Sequence, residues 1–313
     1  MQQKLLTPEE IAAQAGTAIP YLLLPHRASV FANRAARLRG LAEGHSMAGY
    51  LQFSAQIADV QQRILNDAKP LPLPDAAAMA LCAEHGFAPL NFRNHLRDAR
   101  WRSGLRRLLR DLADQTSGVP HEVVTALERE GDAFYEEQAN WLLAGRRAGL
   151  QVASAPLIGA ALQAYFTQRV IELGETSFPR TATATLCPCC GSRPTASVVR
   201  IGAKEAGYRF LHCSLCNAQW HMVRIKCSNC ESTRGISYQH IDDGASVPKH
   251  AIAAEVCEEC GTYLKICYMD RDPNLDPVAD DLASLPLDLL MGEAGKTCSG
   301  VSFLLVHGIL DAV

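Results

Sequence analysis

The stretch that decides the fold runs from residue 187 to residue 260 and contains four cysteine pairs of one spacing. The pairs stand in CPCC (187–190), CSLC (213–216), CSNC (227–230) and CEEC (257–260). With two residues between paired cysteines, both thiolates of one tight turn can point at a common metal ion, and each turn supplies half of a tetrahedral site. Four pairs within 74 residues therefore predict two four-cysteine metal sites.

The order of the pairs predicts which thiols share a metal ion. Intervals of 22 and 26 residues separate the first pair from the second and the third from the fourth, and only ten residues separate the second from the third. Each long interval suits two turns joined by a small sheet, so we expect a sequential arrangement. An interleaved one, first pair with third and second with fourth, is the alternative. The expected ligands are Cys187, Cys190, Cys213 and Cys216 at site one, and Cys227, Cys230, Cys257 and Cys260 at site two.

Four thiolates per site restrict the chemistry. This ligand set favours zinc or a single iron, and iron–sulfur clusters are a weaker alternative because paired turns usually mark mononuclear sites. All four positions of each metal are filled, which indicates a structural, electron-transfer or sensing role and not metal-centred catalysis. Gly191 and Gly261 each follow the second cysteine of a pair. A glycine there allows a positive φ and lets backbone N–H groups point at the sulfurs.

The other four cysteines carry separate expectations. Cys189 lies inside the first turn, too close to Cys187 for the standard spacing, and is expected to be a spare thiol near site one. Cys82 and Cys267 lie in apolar stretches and are expected in the core. Cys298 stands in a flexible-looking tail and is not expected to be a ligand.

Strand-like segments lie between the cysteine pairs, with β-branched and aromatic residues that alternate. Within them, His212 and His221 are not expected to be ligands because eight cysteines are available, and Trp220 is expected to pack between the two modules. Residues 276–291 form a helical pattern again. Asp280 and Asp281 fit helix surface or capping groups there, with contact to a partner as the alternative.

The region before the cysteines, about residues 1–175, has apolar residues at helical spacing and predicts a helical bundle. One helical stretch in it is unusually basic. It fits a solvated face or, alternatively, a docking surface for an acidic partner. Its arginines are Arg93, Arg97, Arg100, Arg102, Arg106, Arg107 and Arg110.

These patterns predict an α+β fold. An N-terminal all-α helical domain (1–178) is followed by two small β modules with one four-cysteine site each, similar to rubredoxin or zinc-ribbon modules. The first module spans 179–225, and the second, with a C-terminal helix, spans 226–313.

Composition excludes several classes of function. The 313 residues carry a formal net charge of -3, too little positive charge for a nucleic-acid binder. No apolar run reaches the length of a membrane span, and no signal peptide begins the sequence, so we expect a cytoplasmic protein without membrane insertion. No GxSxG, HExxH or P-loop motif is present, and we expect no enzymatic activity.

The motifs resemble those of the FdhE family over nearly the whole chain. The resemblance is carried by CPCCGS (187–192), LHCSLC (211–216), KCSNCE (226–231), CEECGTYLK (257–265), VADDLASL (278–285) and RAARL (34–38). Cys189 stands where the family commonly has a residue other than cysteine. The resemblance implies a cytoplasmic accessory protein with rubredoxin-like iron sites that binds the catalytic subunit of a respiratory formate dehydrogenase before its export. It also implies a homodimer.

Three functions are compatible with this sequence. A maturation factor for formate dehydrogenase is the leading hypothesis. A rubredoxin-type electron carrier or redox protein is the alternative and requires iron that cycles between oxidation states. A zinc-ribbon nucleic-acid binder is the third, and the near-neutral charge speaks against it.

Overall fold

The computed structural model describes residues 19–306, apart from 73, 94–95, 182, 203–204 and 242–249. Helices occupy most of this range up to residue 177, and all but one of the described strands lie in the remainder, so the predicted α+β class is confirmed. The helices before the cysteines are α1 (Val30–Ala42), α2 (Ala48–Asp67), α3 (Ala76–His85), α4 (Arg100–Ala113), α5 (Gly118–Glu128), α6 (Asp132–Ala144) and α7 (Ala155–Leu173), followed by a 3₁₀ turn (Glu175–Ser177).

Helix α7 is the centre of the helical region. Every residue from 155 to 170 is buried, which fits a sequence that is mostly apolar. Its buried polar residues are Gln163, Thr167, Gln168 and Arg169. Helices α2, α4 and α6 pack around it. The main core then continues from α7 into the first cysteine module without a break.

Helix α3 departs from its prediction. Asp75 caps its first turn by accepting a hydrogen bond from the N–H of Ala78, and Gly86 ends it with a φ of 63°. No residue of the helix is buried, so the prediction that Cys82 lies in the core was wrong. The apolar composition of this helix comes mostly from alanine, and no described element covers it closely.

The described strands form one eight-stranded sheet. The order is β1-β4-β3-β2-β7-β6-β5, with β8 also beside β7. All neighbours are antiparallel except β2 with β7 and β7 with β8. The strands are β1 (Leu22–Leu23), β2 (Pro194–Val199), β3 (Arg209–Cys213), β4 (Gln219–His221), β5 (Ile236–Gln239), β6 (Ile252–Cys257), β7 (Thr262–Tyr268) and β8 (Thr297–Cys298).

The parallel pairing of β2 with β7 joins the two cysteine modules edge to edge. Strand β1 lies before the first helix, in the region predicted as helical, and extends the sheet beyond β4. Prolines at residues 20 and 25 bound this segment and exclude a helix there.

The predicted C-terminal helix is two helices, α8 (Pro277–Ala283) and α9 (Leu285–Glu293). Pro286 lies in the first turn of α9, where it has no N–H to continue the ladder of α8. Both helices cover one face of the sheet. Two ion pairs hold α8, a partly buried one between Arg37 and Asp280 and a buried one between Lys265 and Asp281. The expectation that these aspartates lie on the helix surface was therefore wrong. The expected capping role is confirmed for Asp280, whose carboxylate accepts a hydrogen bond from the N–H of Asp276 at the start of α8 at 2.9 Å.

The arginines of the basic stretch are largely paired within the chain. Arg102 pairs with Glu136, Arg106 with Asp132, and Arg107 with Asp67, each through a guanidinium–carboxylate contact. Their charge is therefore largely neutralised from within the chain, which leaves less of it for an acidic partner. Among the helices that the structure describes, none is both long and apolar enough to span a membrane.

Candidate metal centres

All four cysteine turns share one backbone geometry. The residue after the second cysteine has a positive φ in every turn: 71° at Gly191, 60° at Asn217, 61° at Glu231 and 67° at Gly261. The N–H of Gly191 donates to the carbonyl of Cys187 at 2.8 Å. Other backbone N–H groups donate to sulfur, as expected: those of Leu215 and Cys216 donate to Cys213 Sγ, and those of Asn229 and Cys230 donate to Cys227 Sγ, at 3.3–3.4 Å. Sequence reasoning found the two glycines and missed the other two positions, because asparagine and glutamate do not mark a left-handed residue as clearly.

Site one is closed. The structure groups Cys187, Cys190, Cys213 and Cys216, as the sequential arrangement requires, with all sulfurs within 4.8 Å of one another. The Cys187 and Cys216 sulfurs are 3.6 Å apart, and those of Cys190 and Cys213 are 3.4 Å apart. None of the four cysteines is more than 1% exposed.

Site two is partly open. The structure groups Cys227, Cys230, Cys257 and Cys260 within the same limit. The sulfurs of Cys227 and Cys260 are 3.7 Å apart, and those of Cys230 and Cys257 are 3.8 Å apart. Cys227 and Cys257 are buried, Cys260 is half-buried, and Cys230 is exposed.

These distances fit a four-coordinate metal ion. Metal–sulfur bonds of about 2.3 Å in a regular tetrahedron place the sulfurs about 3.8 Å apart. The separations of 3.4–3.8 Å in both groups approach that value. Both donor sets consist of four sulfurs, which suit zinc and single iron equally. The ligand role of the eight cysteines stays a prediction, and their grouping is what the structure adds to it.

Three family models match consecutive parts of the chain. The FdhE N-terminal family model matches residues 19–182, the FdhE central-domain model matches 186–224, and the FdhE C-terminal-domain model matches 225–305. The chain belongs to the FdhE family.

Individual relatives extend over almost the full length. A protein FdhE homolog from Cronobacter sakazakii is 40% identical over 291 residues, covering 93% of this chain and 92% of the relative. A Klebsiella pneumoniae homolog is 37% identical over 308 residues, covering 98% and 97%. The crystal structure of the FdhE protein from Pseudomonas aeruginosa superposes with a TM-score of 0.83 at 36% identity, covering 91% of this chain and 99% of that one.

The thiols of site one affect one another strongly. Burial raises the pKa of Cys187, but hydrogen bonds from the four neighbouring thiols outweigh this and hold its pKa well below the usual range. Burial, together with hydrogen bonds to Cys187, raises the pKa of both Cys190 and Cys216. Buried thiolates crowded together repel one another, so a cation is required before all four can ionise.

The pKa values of the site-two thiols are shifted by different groups. Burial raises the pKa of Cys260, but the Thr262 hydroxyl, 3.1 Å from its sulfur, and the Thr262 backbone lower it to about 6. At Cys230, a backbone hydrogen bond with Ser232 lowers the pKa, yet desolvation and the neighbouring thiols raise it to about 12. Without a cation, Cys260 therefore loses its proton before Cys230 and Cys257 do.

The helical region holds site one from outside its module. Two N–H groups donate to the first turn, Leu90 to the carbonyl of Cys189 at 2.9 Å and Phe92 to that of Cys190 at 3.0 Å. In the second turn, the carbonyl of Ser214 accepts a hydrogen bond from the Gln163 amide at 2.7 Å. These anchoring residues carried no signal in the sequence because they lie about 50 to 100 residues from the turns that they contact.

The remaining expectations have mixed outcomes. Cys189 is a buried thiol beside Cys187, and Cys267 is buried in the core, both as expected. Cys298 lies in strand β8 and outside both groups of sulfurs. Trp220 packs in the core that site one shares with the helical region and donates from Nε1 to the carbonyl of Ala184 at 2.7 Å, so its expected place between the modules was wrong.

His212 is fixed in its surroundings and does not join site one. Its Nδ1 accepts from the Gln219 amide at 3.2 Å, because that amide nitrogen can only donate, and its Nε2 then donates to Asn217 Oδ1 at 3.3 Å. Burial and the charge of Arg34 lower the pKa of His212 to about 4, so the ring is neutral near pH 7.

Proposed function

We propose that this chain is a cytoplasmic accessory factor that binds the catalytic subunit of a respiratory formate dehydrogenase and assists its maturation. Membership of the FdhE family carries the proposal. The cysteine sites support it, because each four-sulfur group would fill all four positions of a bound metal ion and leave none for a substrate. We expect the protein to act by contact with its client and not as a catalyst.

We propose one iron ion at each site, with zinc as the alternative. Iron held by four thiolates can be oxidised and reduced by one electron, whereas zinc has no redox chemistry and only stabilises the local fold. Anaerobic purification without added metal, followed by elemental analysis and visible absorption, distinguishes the two. A coloured protein with two irons per chain supports iron, and a colourless one with two zincs supports purely structural sites.

The predicted domain boundaries and the homodimer also belong to the proposal. We expect units at 1–178, 179–225 and 226–313, although the pairing of β2 with β7 couples the second and third units through one sheet. Limited proteolysis tests the boundaries, and light scattering during gel filtration tests the dimer. A monomer at every accessible concentration would remove the dimer from the proposal.

The client interaction is tested directly in cells that lack the chromosomal gene. Wild-type protein should restore formate dehydrogenase activity and co-purify with the catalytic subunit. Variants Cys227→Ser and Cys257→Ser should fail in both assays, whereas Cys82→Ser and Cys298→Ser, which alter cysteines outside both groups, serve as matched controls. Full formate dehydrogenase activity in cells without the protein would overturn the proposed function.

A rubredoxin-type electron carrier remains the second candidate. The observation that favours it is the exposure of Cys230, which brings one sulfur of site two to the molecular surface. Reversible reduction of bound iron at a biological potential, in the absence of any client, would support this candidate. Bound zinc would exclude it.

A further inference from the structure

A cleft away from both cysteine sites is built from three distant parts of the chain. Its cavity volume is about 840 Å³, within the usual range for ligand sites. One wall is helix α1, the floor is the face of strands β1, β4 and β3, and the far side is the segment around residues 273–277. The segment RAARL at residues 34–38, one carrier of the family resemblance, contributes two arginines to it.

A continuous row of hydrogen bonds crosses the floor. Arg34 donates from Nε to Asp276 at 3.1 Å and from Nη2 to Asn217 Oδ1 at 2.8 Å. The same oxygen accepts a hydrogen bond from His212 Nε2, and His212 Nδ1 accepts one from the Gln219 amide. Arg200 closes the row by donating from Nη1 to Gln219 Oε1 at 2.8 Å. The row therefore has a guanidinium near each end and a neutral imidazole between them.

Two N–H donors of the arginines in this row have no acceptor among the described residues. Arg34 Nη1 and Arg200 Nε are buried and have no hydrogen-bond partner among the described residues. A buried N–H without an acceptor is costly, so an oxygen is expected to reach each of them. Asp276 is already occupied, because it also accepts from the N–H groups of Val278 and Ala279 at the start of α8.

Arg37, the other arginine of the cleft, shows how two paired carboxylates affect the pKa of a partly buried guanidinium. Burial lowers the pKa of Arg37, but hydrogen bonds and charge from Asp280 and Asp272 raise it overall. For Arg200, burial lowers the pKa, and Glu205 opposes this without reversing it. Two carboxylates therefore offset the burial of Arg37 in full, whereas Glu205 offsets that of Arg200 only in part.

The walls of the cleft indicate what kind of molecule it binds. Leu23, Leu24, Val30 and Met269 line the cleft with aliphatic surface beside the polar floor. Strand β1 is an edge strand of the sheet, and edge strands accept extended peptides. A peptide that combines apolar side chains with an acidic one matches both surfaces.

We propose that this cleft binds an extended segment of a partner protein, with an acidic side chain of the segment placed between Arg34 and Arg200. The identity of the partner rests on the proposed function, whereas the chemistry of the segment rests on the cleft. The carboxylate accepts from the free N–H groups, and aliphatic side chains of the segment contact the walls.

Two variants block the cleft without touching a cysteine site. Gly40 is an exposed helical glycine on its wall, and an added Cβ meets no atom within 4 Å. Gly40→Trp should therefore fill the cleft while α1 stays intact, and Arg200→Gln removes the cation whose Nε has no acceptor among the described residues. Gly49→Trp, at a helical glycine with equal space outside the cleft, and Arg110→Gln on α4 are the matched controls.

The probes are overlapping fluorescent peptides that cover the formate dehydrogenase catalytic subunit, each acidic one paired with a version carrying Asn or Gln in place of Asp or Glu. We expect acidic peptides to bind the full chain, and the amide versions to bind roughly tenfold more weakly or worse. Gly40→Trp and Arg200→Gln should lose a similar factor, and the two controls should match wild type.

Three results would overturn the inference: no acidic peptide binds, the amide versions bind equally well, or Gly40→Trp binds as wild type does. The intact catalytic subunit separates this inference from the proposed function. If the subunit binds wild type and Gly40→Trp equally, the cleft proposal fails and the accessory function stands. If the subunit does not bind wild type at all, the accessory function fails.

Discussion

Site one and site two have the same four thiols, the same turns and nearly the same sulfur separations, yet their surroundings differ. The four cysteines of site one are almost inaccessible and belong to the main core, where α7 and the segment at residues 90–92 contact the turns. Site two exposes Cys230 and half exposes Cys260. Local spacing creates the ligand set, and tertiary packing decides whether a site is part of the core or open to solvent.

The largest expected difference concerns loss of one ligand. A structural metal contributes on the order of 10 kcal/mol, comparable to the whole stability of a domain. Cys213→Ser should prevent the chain from accumulating as a folded protein, because site one lies in the main core. Cys230→Ser should lose one metal but keep the helical circular dichroism and the main thermal transition. Equal losses in both variants would contradict the distinction.

Metal release should also separate the sites. Because Cys230 is exposed, a chelator can attack the metal at site two without prior unfolding, whereas site one must open first. An excess of a coloured chelator should therefore remove metal in two phases of equal amplitude. Cys230→Ser should abolish the fast phase alone. A single phase for wild-type protein would show that the two sites are equally accessible.

Gly191 and Gly261, the glycines that follow a cysteine pair at each site, give a smaller difference in stability between the two sites. Both have positive φ, so an alanine at either position costs about 1–2 kcal/mol of backbone strain. An added Cβ at Gly191 also comes 3.3 Å from the Asn91 side chain, whereas at Gly261 it meets nothing within 4 Å. Chemical denaturation should show a greater loss of stability for Gly191→Ala than for Gly261→Ala. The reverse order would mean that the anchoring segment does not restrain site one.

The smallest expected effect is a shift in acid sensitivity at site two. The Thr262 hydroxyl helps to lower the pKa of Cys260, so the thiolate persists as the pH falls towards about 6. Thr262→Val should raise that pKa, and metal should leave at a higher pH, by up to about one unit. Acid titration of a cobalt-substituted protein measures this. Thr297→Val, on the neighbouring strand β8, is the control and should leave the midpoint unchanged.

Sequence reasoning reached the features that depend on neighbours along the chain. The spacing of the cysteines predicted the sequential grouping, and the positive φ of Gly191 and Gly261 was expected from their place after a pair. The helical region was also recognised from apolar spacing, although strand β1 within it was not. In each successful case the physical requirement is local.

The features that the sequence did not reveal depend on contacts between distant segments. The parallel pairing of Ser197 with Ile266 joins the modules, and nothing in either strand marks its partner. The Arg106 contact with Asp132 and the exposed face around Cys82 also depend on which helices lie side by side. Burial of one cysteine site and exposure of the other belong to the same class of information.

The most direct test of one metal ion per four-cysteine group is the metal content of wild type and Cys230→Ser, measured by elemental analysis after anaerobic purification. We expect two metal ions per chain in wild type and one in Cys230→Ser, with the remaining ion held by four sulfurs in its X-ray absorption spectrum. Two ions retained in the variant, or fewer than two in fully folded wild type, would contradict the assignment of one metal to each four-cysteine group.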